Sequence, residues 1–534
     1  MHRALGIPFL MAVLVAATSL TVPTSAAAAE PEFPAGDTGF HTYPEMVTEV
    51  AQAAVDHPTI VQRFSIGKSY QGRDLWAIKI SDNVATDEAE SEVLFDGLHH
   101  GDEHMSLEMT LAILRWLTDG YAADPRIRDL VDRREIYIVF AVNPDGATHD
   151  IAGSGTYRNT RKNRQPTPGS SSIGTDLNRN YPYQWGCCGG SSGTPSSSRY
   201  RGPKALSAPE SRAFSDFVKS RVKGGRQQIR ASISFHTTGR LVLYPYGYTN
   251  ANLPSSMTRD DRGVLVAMAK RFAASNGYRP IQASDLYISS GTSRDWLYYA
   301  YRIFAFTFEL SPDSTPFPAD EKIASETGRN KAAILDLITL AGCPFSTIGK
   351  STARCGAFDD DLEVARGWSL DAQATDTATA GRWQRADPSA TSSSGLKQPG
   401  SVTSGVRGLV TGASAGASAG ANDLDGGTTS VTSPAIVMPA TTGQRLALRY
   451  TFAHSATSSA ADWLRVEILD VGCTPTTVFQ VVGAARDRDA AWATATALMD
   501  RWAGQTVRIR LSARDGAGGN LLEAVVDDVR IMRP

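Results

Sequence analysis

The chain has 534 residues, 53 Lys and Arg against 55 Asp and Glu, and a formal net charge of −2. That length exceeds one ordinary core and calls for two or three domains. The near-neutral balance lacks the basic footprint of a nucleic-acid binder, so no nucleic-acid partner is expected.

At the N-terminus, Met1-His2-Arg3 precedes an apolar stretch from Ala4 through Val22, and small residues close it at Ser25-Ala26-Ala27-Ala28-Ala29. A basic start, an apolar middle and an A-x-A-like end describe a secretory signal peptide over residues 1–29. No second apolar run of spanning length follows, so a secreted, extracellular protein without a membrane span is expected. Export permits disulfides, which changes how the five cysteines read. Cys343 and Cys355 flank the short loop "CPFSTIGKSTARC" and form the natural pair, Cys187-Cys188 are either a vicinal bridge or two thiols, and Cys473 stands alone. No Cys-x-x-Cys occurs, which argues against a thiolate zinc site.

From about Phe33 to Cys343, short apolar runs alternate with amphipathic stretches, which predicts an α/β layer architecture. The strand candidates are "LWAIKIS" (75–81), "VLFDGL" (93–98), "EIYIVFAVN" (135–143), "ASISFH" (231–236) and "IFAFTFEL" (303–310). Such near-continuous apolar runs suit strands covered on both faces. Between them "MSLEMTLAILRWLTDG" (105–120) carries helical spacing with Gly120 at its end.

The segment "FDGLHHGDEH" (95–104) raises the first question of chemistry. His100 and Glu103 form H-x-x-E, in which both side chains ligate a metal. His100 through His104 also form H-x-x-E-H, in which both histidines ligate and Glu103 is the base. A polar loop after a strand is the third reading. A catalytic zinc needs three protein ligands and an open position, and His236 at the end of "ASISFH" stands where a third ligand from another strand belongs.

Beyond Cys355 the composition shifts to Ala, Gly, Ser and Thr, and "TGASAGASAGANDLDGGTTS" (411–430) is low complexity. Around it "QRLALRYTF" (444–452), "TVRIRLSA" (506–513) and "AVVDDVRIM" (524–532) predict a separate all-β sandwich, jelly-roll-like, over 357–534, with the boundary near 350–357. Acidic clusters at Asp359-Asp360-Asp361, Asp527-Asp528 and Asn422-Asp423-Asp425 are expected to be surface carboxylates, with their combination into an oxygen-ligand Ca2+ site as the alternative.

Taken together, "HHGDEH" (99–104), "RKNR" (161–164), "GTDLNRN" (174–180), "WGCCGGSSG" (185–193), "SFHTTGRLVLYPYGY" (234–248), "DLYISSGTSRDW" (285–296) and "FTFEL" (306–310) resemble the zinc metallocarboxypeptidases of the carboxypeptidase A and B type, with carboxypeptidase T the nearest likeness. The resemblance covers about 33–350 and implies a mixed central sheet with helices on both faces in a catalytic domain over 30–350. It implies His100, Glu103 and His236 as ligands of one Zn2+, with His104 a bystander. Glu103 then cannot be the base, and Glu309 takes that role. Arg164 is expected to stabilise the oxyanion and Asp176 to orient His100. Asn178 and Arg179 match the pair that binds a terminal carboxylate, and Tyr287 the mobile tyrosine that closes over it. Family-like sequence begins at "FPAGDTGFHTYPEMV", so no masking pro-segment is expected ahead of the domain.

Four positions depart from the family. Asp102 stands where an arginine is common and Thr238 where a tyrosine is usual, which alters the second subsite. Arg294 stands at the base of the pocket for the terminal side chain, and Thr292 where carboxypeptidase T has an acidic residue. A guanidinium there favours acidic or neutral termini over basic ones, and its alternative is an Arg294 turned aside into a salt bridge. The expected function is removal of single C-terminal amino acids from peptides or proteins, by a monomer. Cell-wall peptides are an alternative substrate, and a non-catalytic binding protein is the alternative outside enzymology. For the β domain, a glycan, a surface and a protein are equally compatible partners.

Overall fold

The computed structural model describes residues 1–2 and 32–532, apart from 89, 154, 224–225, 314, 415–419 and 517–519. The expected signal peptide lies almost wholly outside the described residues. Among the described residues, no helix is long and apolar enough to cross a membrane.

Eight strands form one sheet: β1 (Val61–Lys68), β2 (Asp74–Ile80), β3 (Ser91–Asp96), β4 (Arg134–Val139), β5 (Ile229–Thr237), β6 (Leu241–Tyr244), β7 (Arg279–Gln282) and β8 (Phe304–Leu310). Their order is β1-β2-β4-β3-β5-β8-β6-β7. The four central strands β4, β3, β5 and β8 are parallel, while β1, β2 and β6 pair antiparallel with their neighbours toward the core. The sheet is therefore mixed, as expected. Each central strand is buried along most of its length, because helices cover it on both sides. Strand β8 shows this directly: Phe306 and Phe308 meet Phe272 of helix Arg259–Asn276, whereas Thr307 bonds Arg294 of helix Ser293–Tyr301. Alternate residues of a strand point to opposite faces, so these two helices lie on opposite sides.

The same alternation sorts the chemistry. Ser234 and His236 on β5, Asp96 on β3, and Thr307 and Glu309 on β8 occupy one face, and Phe95, Phe235 and Phe308 pack together on the other. The polar face is richest at the carboxyl ends of the central strands, where open α/β sheets place their ligands.

Among the described residues from Phe358 onward, regular structure is β apart from one short 3-10 turn at Asp500–Trp502. Two six-stranded sheets, one built around Leu522–Met532 and the other around Thr506–Asp515, share a single apolar core that includes Trp383, Leu448 and Val526 from the first and Val431, Val466 and Leu511 from the second. A sandwich is the result. Cys187–Cys188 and Cys343–Cys355 are both bridged, and Cys473 is free and exposed.

Candidate metal centre and substrate-binding site

Strand β3 delivers the first two candidate ligands. After Asp96 the chain turns sharply through Gly97 to Gly101, and a side chain at Gly101 would sit 2.4 Å from the Gly146 carbonyl carbon, so only glycine allows this close passage. The turn aims His100 and Glu103 back at the end of β5, where His236 stands. The carboxylate of Glu103 lies 2.7 Å from His100 Nδ1 through one oxygen and 2.7 Å from His236 Nδ1 through the other. The two Nδ1 atoms are 3.1 Å apart. All three residues are at least 96 % buried.

Such a triangle of donor atoms is what a cation of zinc's size and preference requires. Zinc ligands at 2.0–2.1 Å in tetrahedral geometry stand roughly 3.3 Å from one another, so these atoms would need to move apart by about 0.2 to 0.6 Å. Both imidazole nitrogens face the same buried carboxylate and each other, so a cation seated among them would meet all three donors. Burial drives His236 down to about 4, so it is neutral and free to ligate. Burial opposes the charge on Glu103, yet His100 and His236 hold its carboxyl well below the usual range. The donor set therefore fits zinc.

Behind the triangle, Asp176 Oδ1 is 3.3 Å from His100 Nε2, where a carboxylate fixes the orientation of a ligating imidazole. Although Asp176 is buried, Arg161, Arg179 and His100 hold it well below the usual carboxylate range. Ser234 Oγ and Asn178 Nδ2 lie 3.3 and 3.2 Å from His236 Nε2. His104, the second histidine of H-x-x-E-H, turns away to Asp150 at 3.0 Å and packs on Phe33. It takes no part in the triangle. His99 is likewise spoken for, between Asp96 at 2.9 Å and Tyr181 at 2.8 Å.

Glu309 is paired in register with His236 across β5 and β8, which places its carboxyl beside the triangle. Burial first, and then the charge of Glu103, push it up to about 8 against the pull of His100, Arg161 and Arg294. The cation at the centre is not the one expected from the sequence. Arg161, not Arg164, lies 3.1 Å from His100 Nδ1, 3.7 Å from Glu103 and 3.0 Å from Asp176. Arg164 sits among Arg158, His149 and Asp145 instead. Both arginines belong to "RKNR", and the signal that could have separated them is their spacing of three, which in extended chain sends side chains to opposite sides.

Arg179 is 99 % buried, its guanidinium held by the carbonyls of Asn178 and Gly190 and by the Tyr287 hydroxyl at 3.2 Å. Tyr287 itself is 45 % exposed and covers that guanidinium with its ring. Asn178 accepts from the Ser293 amide at 2.9 Å, tying the detector pair to the helix that carries Arg294. Arg294 is buried, with one terminal nitrogen 3.0 Å from Asp295 and beside Gly247 and the other 3.3 Å from Thr307 Oγ1. The sequence left two postures open for Arg294, and the contact observed is the ion pair with Asp295. Asp102 is buried, one oxygen lacks a partner, and burial followed by Glu103 pushes its carboxyl up to about 6.

The acidic clusters of the β domain do not combine into one site. Asp359 and Asp360 pair in register with Arg530 and Val529, and Asp423 bonds the amide of Leu522, seven residues earlier on the same strand. That is roughly 23 Å along a strand. The Asp359–Asp361 cluster faces arginines: Asp359 meets Arg354 and Arg530 at 3.1 and 2.9 Å, and Asp360 meets Arg366 at 3.5 Å. Asp527 is filled by Thr403 and Ser404 donors.

Comparison with known proteins agrees with this geometry. The zinc carboxypeptidase family pattern matches residues 46–333. A zinc carboxypeptidase of Saccharothrix mutabilis subsp. capreolus is 45 % identical over 323 residues, covering 60 % of this chain and 74 % of that protein. Carboxypeptidase A1 of Bos taurus is 30 % identical over 273 residues, covering 51 % and 62 %. Among solved structures, thrombin activatable fibrinolysis inhibitor superposes with a TM-score of 0.51 at 25 % identity, covering 57 % of this chain and 74 % of that one. The chain belongs to the zinc carboxypeptidase family and is a zinc-dependent metallocarboxypeptidase, a hydrolase acting at peptide C-termini.

Proposed function

We propose that the protein is a secreted exopeptidase that holds one zinc ion on His100, Glu103 and His236 and releases single C-terminal amino acids, acidic or neutral in preference to basic. The observation that carries it is the meeting of two imidazoles and one carboxylate from two distant chain segments, with Glu309 in register beside them. When bound, zinc supplies Lewis-acid polarisation of the scissile carbonyl and acidity to a water molecule. Glu309 takes the proton from the attacking water and delivers it to the leaving amine, a task suited to a buried carboxyl whose proton affinity is raised toward neutrality. Arg161 supplies a fixed guanidinium for the charge that develops on the carbonyl oxygen. Asn178 and Arg179 receive the terminal carboxylate, and the exposed Tyr287 closes over it. Secretion rests on the leader sequence and accords with two disulfides.

Arg294 sets the preference for the terminal side chain. Its pairing with Asp295 tempers the positive charge without removing it, so Lys and Arg termini are repelled and Asp or Glu gain a charge-assisted partner. Amino-acid release from otherwise identical peptides ending in Glu, Leu and Arg reads both the exopeptidase action and this preference. The expected order has Arg slowest by about tenfold or more, and Arg as the fastest leaving residue would refute the assignment of Arg294. Cell-wall peptides, rich in acidic groups, are the second reading, and turnover of muropeptides above that of linear peptides would favour it.

A further inference from the structure

The loop "WGCCGGSSG" (185–193) carries four glycines in nine residues, so its backbone has many conformations open to it unless something restricts them. Its adjacent cysteines, Cys187 and Cys188, are bonded to each other. A bridge between neighbours closes no chain loop beyond their own backbone, so it takes almost no freedom from the unfolded chain and adds little to global stability. Cys343–Cys355, twelve residues apart, is the bridge placed to do that. The effect of Cys187–Cys188 must be local.

The Gly190 amide donates to the Cys187 carbonyl at 3.1 Å, which closes a turn whose two central residues are Cys188 and Gly189. Both have positive φ, 62° and 72°, the combination found in type I′ turns. Gly, Asn and Asp dominate such positions, and a cysteine fits the first of them poorly because its Cβ crowds the backbone. Here its side chain is tied to the residue before it. The far end of the turn reaches the substrate-binding residues: the Gly190 carbonyl accepts from Arg179 Nε at 3.2 Å and from the Ser290 amide at 3.4 Å. A Cβ on Gly190 would lie 2.6 Å from the Ser290 nitrogen, so the turn is pressed against the segment that follows Tyr287.

A buried guanidinium keeps its donors paired, and the other partners of Arg179 are the Asn178 carbonyl and the Tyr287 hydroxyl. Any shift of the Gly190 carbonyl therefore re-aims the cation. We propose that Cys187 and Cys188 are a positioning pair: their bridge holds the 187–190 turn in its left-handed form, the turn fixes the Gly190 carbonyl, and that carbonyl aims Arg179 at the terminal carboxylate of the substrate. This rests on the assignment of Arg179 as the receiver of that carboxylate. The bridge acts on substrate affinity and leaves proton transfer at Glu309 alone.

The test compares amino-acid release by the full zinc-loaded chain in wild type, Cys187→Ser/Cys188→Ser and Cys187→Ser/Cys188→Asn, with zinc content and thermal unfolding measured on each. In the first variant KM should rise by about tenfold while kcat stays within about threefold. Its zinc content and melting temperature should match the wild type. The second variant gives the turn an Asn-Gly centre, the pair that favours type I′ without a bridge, and should bring KM back to within about threefold of wild type. A KM unchanged in the first variant, or raised equally in both, would overturn the proposal. Arg179→Met separates that result from the underlying assignment: a KM raised there by about 10^2-fold upholds Arg179 as the carboxylate receiver even if the bridge proves idle, and a KM left unchanged refutes both.

Discussion

In the proposed mechanism Glu309 and Arg161 act on one reacting centre from opposite electrical directions, and neither is replaceable by its neighbour. Glu309→Gln keeps the volume and removes the proton acceptor, so release of amino acids should fall by about 10^3-fold while zinc stays bound. Arg161→Met should cost on the order of 10^2–10^3-fold in kcat, whereas Arg164→Met should stay within about threefold, since Arg164 faces Arg158 and Asp145. Equal losses from the two arginine variants would contradict the assignment. At this scale the candidate ligands and Glu309 came from the resemblance of their motifs rather than from the residues alone, and the structure brings His100, Glu103 and His236 together with Glu309 in register beside His236. "RKNR" was not so readable, since the choice between its arginines depends on which way an irregular segment faces Asp176.

The element most tightly coupled to the ligand loop is helix Met105–Ala123, which begins one residue after His104. Its Glu108 is buried and accepts from His41 at 2.7 Å through the backbone amide and at 2.9 Å through the ring. His41 also meets Glu49 at 3.3 Å, and Arg115 closes the group on Glu49. Helix Tyr43–Asp56 is thereby clamped to the helix behind the site. The hydrogen bond to Glu108, then that to Glu49, push His41 up to about 10 from 6.5. A raised folded-state pKa gives stability that is whole below 6.5 and is lost as the pH climbs through 10. Burial opposes the charge of Glu49, yet His41 and Arg115 bring its carboxyl down to about 2, so its share is whole above 4.5 and is lost as the pH falls through about 2. Against His41→Gln, the wild-type chain should be more stable by about 1–2 kcal/mol between pH 4.5 and 6.5. Denaturant unfolding should show that difference shrinking toward zero by pH 10, and a difference flat across this range would contradict the clamp. The long central strands of the sheet were evident from their apolar runs. Strands β6 and β7 were not, because four residues each leave too short a pattern, and edge strand β1 alternates polar and apolar residues in a way that composition alone does not mark.

Across the whole molecule, the β domain docks on the catalytic domain through charge. Asp359 lies between Arg354 and Arg530, Arg302 of the catalytic domain reaches Glu363 at 3.8 Å, and Arg226 donates to the Ala357 carbonyl at 3.0 Å. Arg354 is 94 % buried and lies over the Phe345 ring. Removing one partner from a buried pair strands the other, so Asp359→Ala should destabilise the protein by about 2–4 kcal/mol. Urea unfolding checks it, and a loss under about 0.5 kcal/mol would show the seam to be ordinary surface pairing. The β-rich character of this region was visible in its alternating runs, yet the duty of Asp359-Asp360-Asp361 was not. Acids adjacent in sequence read as calcium ligands or solvated surface, and the arginines that claim them come from 354, 366 and 530.

The most direct test of the central assignment is the metal content of the purified chain, compared between wild type and His236→Ala by elemental analysis. One zinc per wild-type chain, lost or weakened by about 10^2-fold or more in the variant, is the expected result. A wild-type chain that takes up no zinc, or a variant that keeps it undiminished, would contradict the account.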